Sequence, residues 1–174
     1  MDDLKGLAEM GVVLNPPYMG EWPLLVGQYM LNFGAIEWFS FQYLNFLEAN
    51  RADFNKNLDR LLGPRIDRIL LLVEQARNIT EADKTEIGSF WTSAKELAQW
   101  RNRIAHNPVL PTWKPGSDSD RNPPDLLGIP DMKQMKSSND SDSISLQGMK
   151  SLIDESAKLG HNIHNAVAKL KHEV

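Results

Sequence analysis

The sequence WPLLVGQYMLNFGAIEWFSFQYLNFL, residues 22–47, is the longest apolar stretch of the chain and decides its fold. It predicts one long helix, from Leu24 to about Asn50, because apolar residues recur at steps of three and four. A carboxylate at the centre of the stretch, Glu37, would be costly in a lipid bilayer. We therefore expect a buried helix rather than a membrane span, with its inner face formed by Leu24, Leu31, Ala35, Trp38, Phe39, Tyr43 and Phe46 or Leu47.

Further helical patterns follow this stretch and complete the predicted fold. Thr80, with Asp83 three residues later, resembles a capping arrangement at the start of one of them. The fold class is an all-α, up-and-down bundle of about five helices in a single domain that spans residues 1–174. The later helices are expected over residues 52–62, 65–77, about 81–106 and about 146–172.

Two segments lack a helical pattern. Residues 1–20 contain several turn-forming glycines and prolines and predict an irregular N-terminal arm. Residues 109–144, before the last helix, form a long insertion that is rich in proline, serine and aspartate, with six aspartates that make it acidic. Loops of this length are often functional or contain a small hairpin, and residues 126–129 are a candidate strand.

Composition excludes several classes of function. The 174 residues include no cysteine, which removes disulfide scaffolds, thiolate zinc sites and cysteine nucleophiles. A net charge of −4 gives no global attraction to nucleic acid, so any RNA contact needs a local cationic site. Signature motifs of nucleotide triphosphatases, zinc proteases and serine hydrolases are absent from the sequence. The N-terminus lacks the features of a secretory signal, so we expect a cytoplasmic protein without a membrane partner.

The densest unusual chemistry lies near the end of the fourth helix, in the sequence QWRNRIAHN, residues 99–107. Asn102 and His106 are four residues apart and project from nearly the same face, while Arg101 borders that patch. A guanidinium binds phosphate oxygens through two donors, and an imidazole can move a proton near neutral pH. An amide can orient either group. The three side chains are therefore candidates for a site that acts on a phosphodiester.

The stretch from Arg101 to His106 resembles the signature of the HEPN superfamily, which is an arginine, a polar residue that is often asparagine, a short spacer and a histidine late in a helix. The resemblance implies a homodimer in which two copies of this helix end face one another. It also implies metal-independent cleavage of RNA without a cofactor. His106 would be the general acid/base, Arg101 would stabilise the scissile phosphate and Asn102 would orient them, leaving a 2′,3′-cyclic phosphate. Toxin or antiphage activity, with an antitoxin or another protein as partner, follows from the same resemblance.

Two residues beside this motif are candidates for substrate binding. Trp100 adjoins Arg101 and can stack on a base, as can Trp113 just beyond the helix. Arg103 is either a second phosphate contact or a surface ion pair, and we favour the ion pair. Two other tryptophans, Trp38 and Trp91, are expected in the core.

Glu37 is a candidate for orienting the site from the first helix. An unpaired carboxylate is expensive to bury among the apolar residues around it. Glu37 is therefore expected either to hold Arg101 or Arg103 in position or to lie on the exposed edge of its helix.

His161 and His164 are three residues apart on the last helix and could face one metal ion. A metal site needs further ligands, and no carboxylate lies at suitable spacing. We interpret both as surface residues and expect no metal.

Alternatives to the nuclease hypothesis use the same residues. Cationic side chains at a helix C-terminus also stabilise the negative end of the helix dipole, which gives Arg101 and His106 a purely structural role. A second alternative is a non-catalytic HEPN-like module for dimerisation, nucleotide binding or protein binding. The acidic insertion favours this module, because its aspartates repel an RNA backbone. A helical scaffold without a ligand is the third.

Overall fold

The computed structural model describes residues 20–106, 110–112, 126–129 and 142–171. The predicted all-α bundle of five helices is confirmed for these residues, with a small antiparallel sheet before the last helix. The predicted N-terminal arm lies outside the described residues, apart from Gly20, as does most of the 109–144 insertion. The helices are α1 (Trp22–Leu47), α2 (Arg51–Leu58), α3 (Leu62–Gln75), α4 (Glu81–His106) and α5 (Leu146–Lys171).

The sheet lies within the insertion and has three described strands, β1 (Leu110–Thr112), β2 (Leu126–Ile129) and β3 (Asp142–Ser145), in that spatial order. The candidate strand of the insertion is β2, at the centre. Pro111 pairs with Leu127 from an edge strand, where a residue without an N–H is tolerated. β3 leads directly into α5, so the sheet is attached to the start of the last helix.

Local sequence signals set the helix starts. Thr80 Oγ1 accepts a hydrogen bond from the Asp83 N–H at 3.2 Å, which is the predicted cap of α4. The predicted helix boundary between residues 62 and 65 is wrong, because α2 ends at Leu58 and α3 already begins at Leu62. Pro64 lies in the first turn of α3, where the missing N–H has no partner inside the helix.

The predicted inner face of α1 is largely wrong. Leu24, Leu31 and Trp38 are 70%, 77% and 60% exposed. Because α1 is apolar around most of its circumference, it carries two apolar stripes at helical spacing, and periodicity cannot choose between them. The structure buries the other stripe, Trp22, Leu25, Tyr29, Phe33, Ile36, Ser40, Tyr43 and Leu44.

The buried tyrosines explain this choice and fix the neighbours of α1. The Tyr29 hydroxyl donates to the Leu97 carbonyl of α4 at 2.7 Å, and the Tyr43 hydroxyl donates to the Ile163 carbonyl of α5 at 3.3 Å. The Tyr43 ring also meets Trp91, which is in the core as expected. α1 therefore runs antiparallel to α4.

The described residues contain no helix that is long and apolar enough to cross a membrane. α1 is largely apolar, and Glu37 is its sole charged residue. Asn32, near the middle of α1, donates instead to the Ile153 carbonyl and to Ser156 Oγ of α5.

Candidate functional site

Arg101 lies near the end of α4, where the helix passes from the core to solvent. Leu97 and Ile104, one turn to either side, are buried, whereas the Arg101 side chain is 29% exposed. Its Nη1 donates to Asn102 Oδ1 at 3.1 Å, and its Nη2 lies 3.7 Å from Glu37 Oε2. The guanidinium is thus held on two sides and remains partly open to solvent.

Glu37 is the carboxylate that organises this corner of the bundle. Its Oε1 accepts from Arg65 Nη2 of α3 at 2.9 Å, while its Oε2 faces Arg101 of α4. The three side chains join α1, α3 and α4, and together they carry a formal charge of +1. Glu37 is therefore paired with Arg65 and lies near Arg101 of the motif, while its side chain is 33% exposed; its role in positioning Arg101 stays a prediction.

Arg65 was not anticipated from the sequence. Its side chain is 3% exposed, and its guanidinium lies 3.9 Å from the centre of the Phe41 ring. Burial lowers the pKa of Arg65, and the neighbouring Glu37 carboxylate opposes that shift. Arg65 Nε is buried without a hydrogen-bond partner in the described part of the chain. Arg65 binds Glu37 from the buried side, and it is too deeply buried to contact a substrate.

Asn102 and His106 are both exposed on the outer side of α4. They lie on nearly the same face, since four residues separate them. Arg101 and His106 are five residues apart, which places them about 140° apart around the helix and about 7.5 Å apart along it. Within one copy of the chain, the arginine and the histidine therefore do not point in the same direction, and Asn102 lies between them.

Trp100 and Arg103 form a separate pair. The Arg103 guanidinium lies 5.3 Å from the centre of the Trp100 ring, an attractive cation–π geometry. Trp100 also lines a cleft of about 610 Å³ between α4 and α5, together with Phe90, Glu96, Glu155 and Lys158 among others. The structure thus divides the predicted substrate-binding residues from Arg101, which faces α1. Trp113 lies outside the described residues.

The two histidines of α5 contact other side chains. His161 Nε2 lies 3.0 Å from Asn165 Nδ2, and the His164 ring centre lies 5.4 Å from that of Phe39. Among the described residues, no group of three histidines or carboxylates is placed to hold a metal ion.

No protein-family model, curated protein or solved structure matches this chain. Any assignment of function therefore has to come from the geometry of the residues themselves and from the chemistry that they allow.

Proposed function

We propose that this protein is a metal-independent endoribonuclease of the HEPN type, with Arg101, Asn102 and His106 as its catalytic residues. The observation that carries the proposal is the position of Arg101. Its guanidinium is hydrogen-bonded to Asn102 and lies 3.7 Å from the Glu37 carboxylate, yet remains partly exposed. Donors that are fixed in advance stabilise developing charge better than flexible ones, because they need not reorganise during the reaction.

The proposed reaction is an internal transesterification of RNA. The ribose 2′-oxygen attacks the adjacent phosphorus, the bond from phosphorus to the 5′-oxygen breaks, and the products carry a 2′,3′-cyclic phosphate and a 5′-hydroxyl. His106 takes the proton from the 2′-hydroxyl and then gives it to the departing 5′-oxygen, which leaves as the 5′-hydroxyl. Arg101 binds the non-bridging phosphate oxygens, and the Asn102 amide orients the phosphate between them. DNA lacks the 2′-hydroxyl and is not cleaved.

The proposal includes a homodimer, and the geometry gives a reason for one. Arg101 and His106 of one copy project about 140° apart, so a phosphate held by Arg101 is reached more directly by a histidine from elsewhere. A second copy with its own His106 supplies that histidine. Trp100 and Arg103 would then bind RNA beyond the scissile phosphate. An antitoxin or other protein partner, and a role in phage defence, belong to the same proposal through the resemblance alone.

The test is cleavage of RNA by the purified chain in EDTA. We expect products that end in 2′,3′-cyclic phosphate, and we expect His106→Ala to lower the cleavage rate by about 10²–10⁴-fold. His161→Ala is the matched control, because it removes an exposed histidine of α5 and should leave the rate unchanged. Cleavage that survives His106→Ala, or that needs a divalent metal ion, would contradict the proposal.

Arg101 is tested in the same assay. Arg101→Ala should lower the rate by about 10²–10³-fold while the far-ultraviolet circular dichroism spectrum stays unchanged. Arg77→Ala, which removes an exposed arginine next to α3, is the control for charge. Equal losses for both variants would indicate general electrostatic attraction rather than a specific phosphate site.

Binding without cleavage is the second candidate, and the angle between Arg101 and His106 is the observation that favours it. If the purified chain binds single-stranded RNA but leaves it intact, with binding lost in Arg101→Ala and kept in His106→Ala, the non-catalytic module is correct. Such binding should weaken steeply with salt, because it depends on phosphate contacts.

A further inference from the structure

The outer side of α1 carries an apolar stripe that is largely exposed in the described structure, except at its last member, Phe41, which is half-buried against the Arg65 guanidinium. Its members are Leu24, Gly27, Leu31, Gly34, Trp38 and Phe41, which follow one another at steps of three, four, three, four and three residues. The leucines and Trp38 are largely exposed, as is each glycine. This spacing is that of the contact positions in a pair of packed helices. We call these six residues the α1 seam.

We propose that the α1 seam docks antiparallel on the α1 seam of a second copy of the chain. The inference names a surface for the homodimer included in the proposed function. It rests on α1 alone, so a dimer that does not cleave RNA supports it.

Large and small residues alternate along the seam from Leu24 to Trp38, and this alternation favours a second copy as the partner. Nothing lies within 4 Å of a Cβ built at Gly27 or Gly34, so each glycine leaves an open gap beside the protruding leucines. In an antiparallel pair, Leu31 of each copy faces Gly34 of the other, and Trp38 faces Gly27. Every large side chain except those of the end pair, Leu24 and Phe41, then enters a gap. A two-fold axis requires such a self-complementary surface.

A parallel pair would fit less well. Equivalent residues would then face each other, so that Trp38 meets Trp38 and Gly34 meets Gly34. The Leu–Leu and Trp–Trp pairs would set a large distance between the two helices. At that distance, the Gly–Gly pairs would leave voids. The antiparallel orientation is therefore the one that the sequence of the seam favours.

Charge does not oppose the pairing. Glu37 is the only charged residue between Trp22 and Leu47, and its charge is paired with Arg65 and Arg101 of the same copy. The exposed neighbours of the seam, Gln28 and Ala35, are uncharged. A helix face without charge cannot select a charged partner, but it accepts its own copy without repulsion.

The exposed area sets the expected strength of the dimer. From their exposed fractions, Leu24, Leu31 and Trp38 offer on the order of 450 Å² on each copy, or about 900 Å² for the pair. The flanking residues bring this to about 1,000–1,200 Å², at the lower end of specific interfaces. We therefore expect a reversible dimer with a dissociation constant in the micromolar range rather than a permanent one.

The dimer would also bring the two candidate sites to one face. Glu37 directly precedes Trp38, and the two-fold axis passes between Leu31 and Gly34. Glu37 and its copy are then about nine helical positions apart, or roughly 14 Å along the helices, on the same side of the pair. Both Arg101 side chains follow their Glu37 partners to that side.

The test is the molar mass of the full chain, measured by light scattering between about 1 and 100 µM. We expect the mass to rise with concentration from 19.7 kDa toward twice that value. Leu31→Glu puts two carboxylates beside the two-fold axis and should weaken the dimer at least tenfold. Leu61→Glu is the matched control, because Leu61 is 82% exposed outside the seam, and it should dimerise like the parent chain.

A second variant separates loss of the dimer from loss of the fold. Gly34→Leu fills the gap that Leu31 of the other copy needs, yet has open space within its own copy. It should therefore be monomeric and at least as heat-stable as the parent monomer. A parent chain that stays at 19.7 kDa throughout, or a dimer that survives both substitutions, would overturn the proposal. A monomer that Leu31→Glu destabilises would also overturn it, because Leu31 would then be buried within its own copy.

The absence of cysteine gives a direct test of orientation. In a mixture of Gly27→Cys and Trp38→Cys chains, an antiparallel pair forms the mixed disulfide, which mass spectrometry distinguishes by mass. In a parallel pair, each variant would cross-link with itself even when it is alone, and that result would reject the antiparallel arrangement.

Discussion

The two faces of α1 are both apolar, but one is buried and the other is largely exposed. The inner face, which includes Tyr29, Phe33 and Ile36, is buried within the helical bundle. The outer face, the α1 seam, exposes leucines and a tryptophan to solvent. The inner face contains hydroxyl groups that reach carbonyls of α4 and α5, whereas the seam contains glycines and no side-chain hydroxyl. Hydrophobicity alone does not decide which face becomes core; the matching of polar atoms also contributes.

The difference in burial between the two faces can be tested by truncating one residue on each face. Phe33→Ala removes a ring that is 1% exposed and should lower the free energy of unfolding by about 3–5 kcal/mol. Leu31→Ala removes a side chain that is 77% exposed and should change it by less than about 0.5 kcal/mol in the monomer. Urea denaturation at low protein concentration measures both. Equal losses would mean that the outer face is buried in the native chain.

The buried tyrosines predict a pH dependence that the seam lacks. Burial raises the pKa of Tyr29 and of Tyr43, whereas an unfolded tyrosine ionises near pH 10. Above that pH the unfolded chain releases protons that the folded chain keeps, so stability falls as pH rises. Each tyrosine should cost about 1 kcal/mol between pH 10 and 11.

The measurement is urea denaturation at pH 8, 10 and 11. Tyr29→Phe/Tyr43→Phe should be less stable than the parent at pH 8, because two carbonyls lose a donor, but its stability should fall less between pH 10 and 11. The third tyrosine of the chain, Tyr18, lies outside the described residues, so Tyr18→Phe serves as the control for phenol ionisation in general. An unchanged slope in the double variant would contradict the assignment to Tyr29 and Tyr43.

What the sequence predicted correctly depends on neighbours that are close along the chain. The Thr80–Asp83 cap and the placement of Arg101, Asn102 and His106 at the end of α4 follow from spacings of one to five residues. The face of α1 and the role of Arg65 depend on contacts with residues 28 or more positions away, such as Glu37 with Arg65. An arginine next to Ile66 gives no local sign that a carboxylate on another helix will neutralise it.

Glu37 lies on the border between the two faces of α1. Removing its charge tests how much the ion pair with Arg65 contributes to stability. Glu37→Gln keeps the shape of the side chain and one acceptor for Arg65, but leaves that buried guanidinium without a counter-charge. We expect a loss of about 1–3 kcal/mol in the free energy of unfolding. Glu81→Gln, which removes an exposed carboxylate from the first turn of α4, should cost less than about 1 kcal/mol.

The same variant separates the positioning of Arg101 from general stability. If Glu37 orients Arg101 in the proposed nuclease, Glu37→Gln should lower kcat for RNA cleavage at a temperature where the variant is fully folded, with KM less affected. Asp67→Asn, which breaks the exposed ion pair with Lys95 at 2.7 Å, is a control for surface charge between α3 and α4. Unchanged kcat in Glu37→Gln would restrict Glu37 to a structural role.

The smallest expected effect tests the seam itself. Gly34 is exposed within a helix and has open space around its Cβ position, so Gly34→Ala should raise the free energy of unfolding of the monomer by about 0.5–1 kcal/mol. Gly88→Ala in α4 meets the same open space and should give a similar gain.

The thermal midpoints of the two variants should diverge as the protein concentration rises, because the added methyl group narrows the gap for Leu31 of the other copy only at Gly34. Thermal midpoints at about 1 and 100 µM measure that divergence, since a dimer raises the midpoint by mass action. If the thermal midpoints of both variants rise equally with protein concentration, Gly34 does not contact a second copy of the chain.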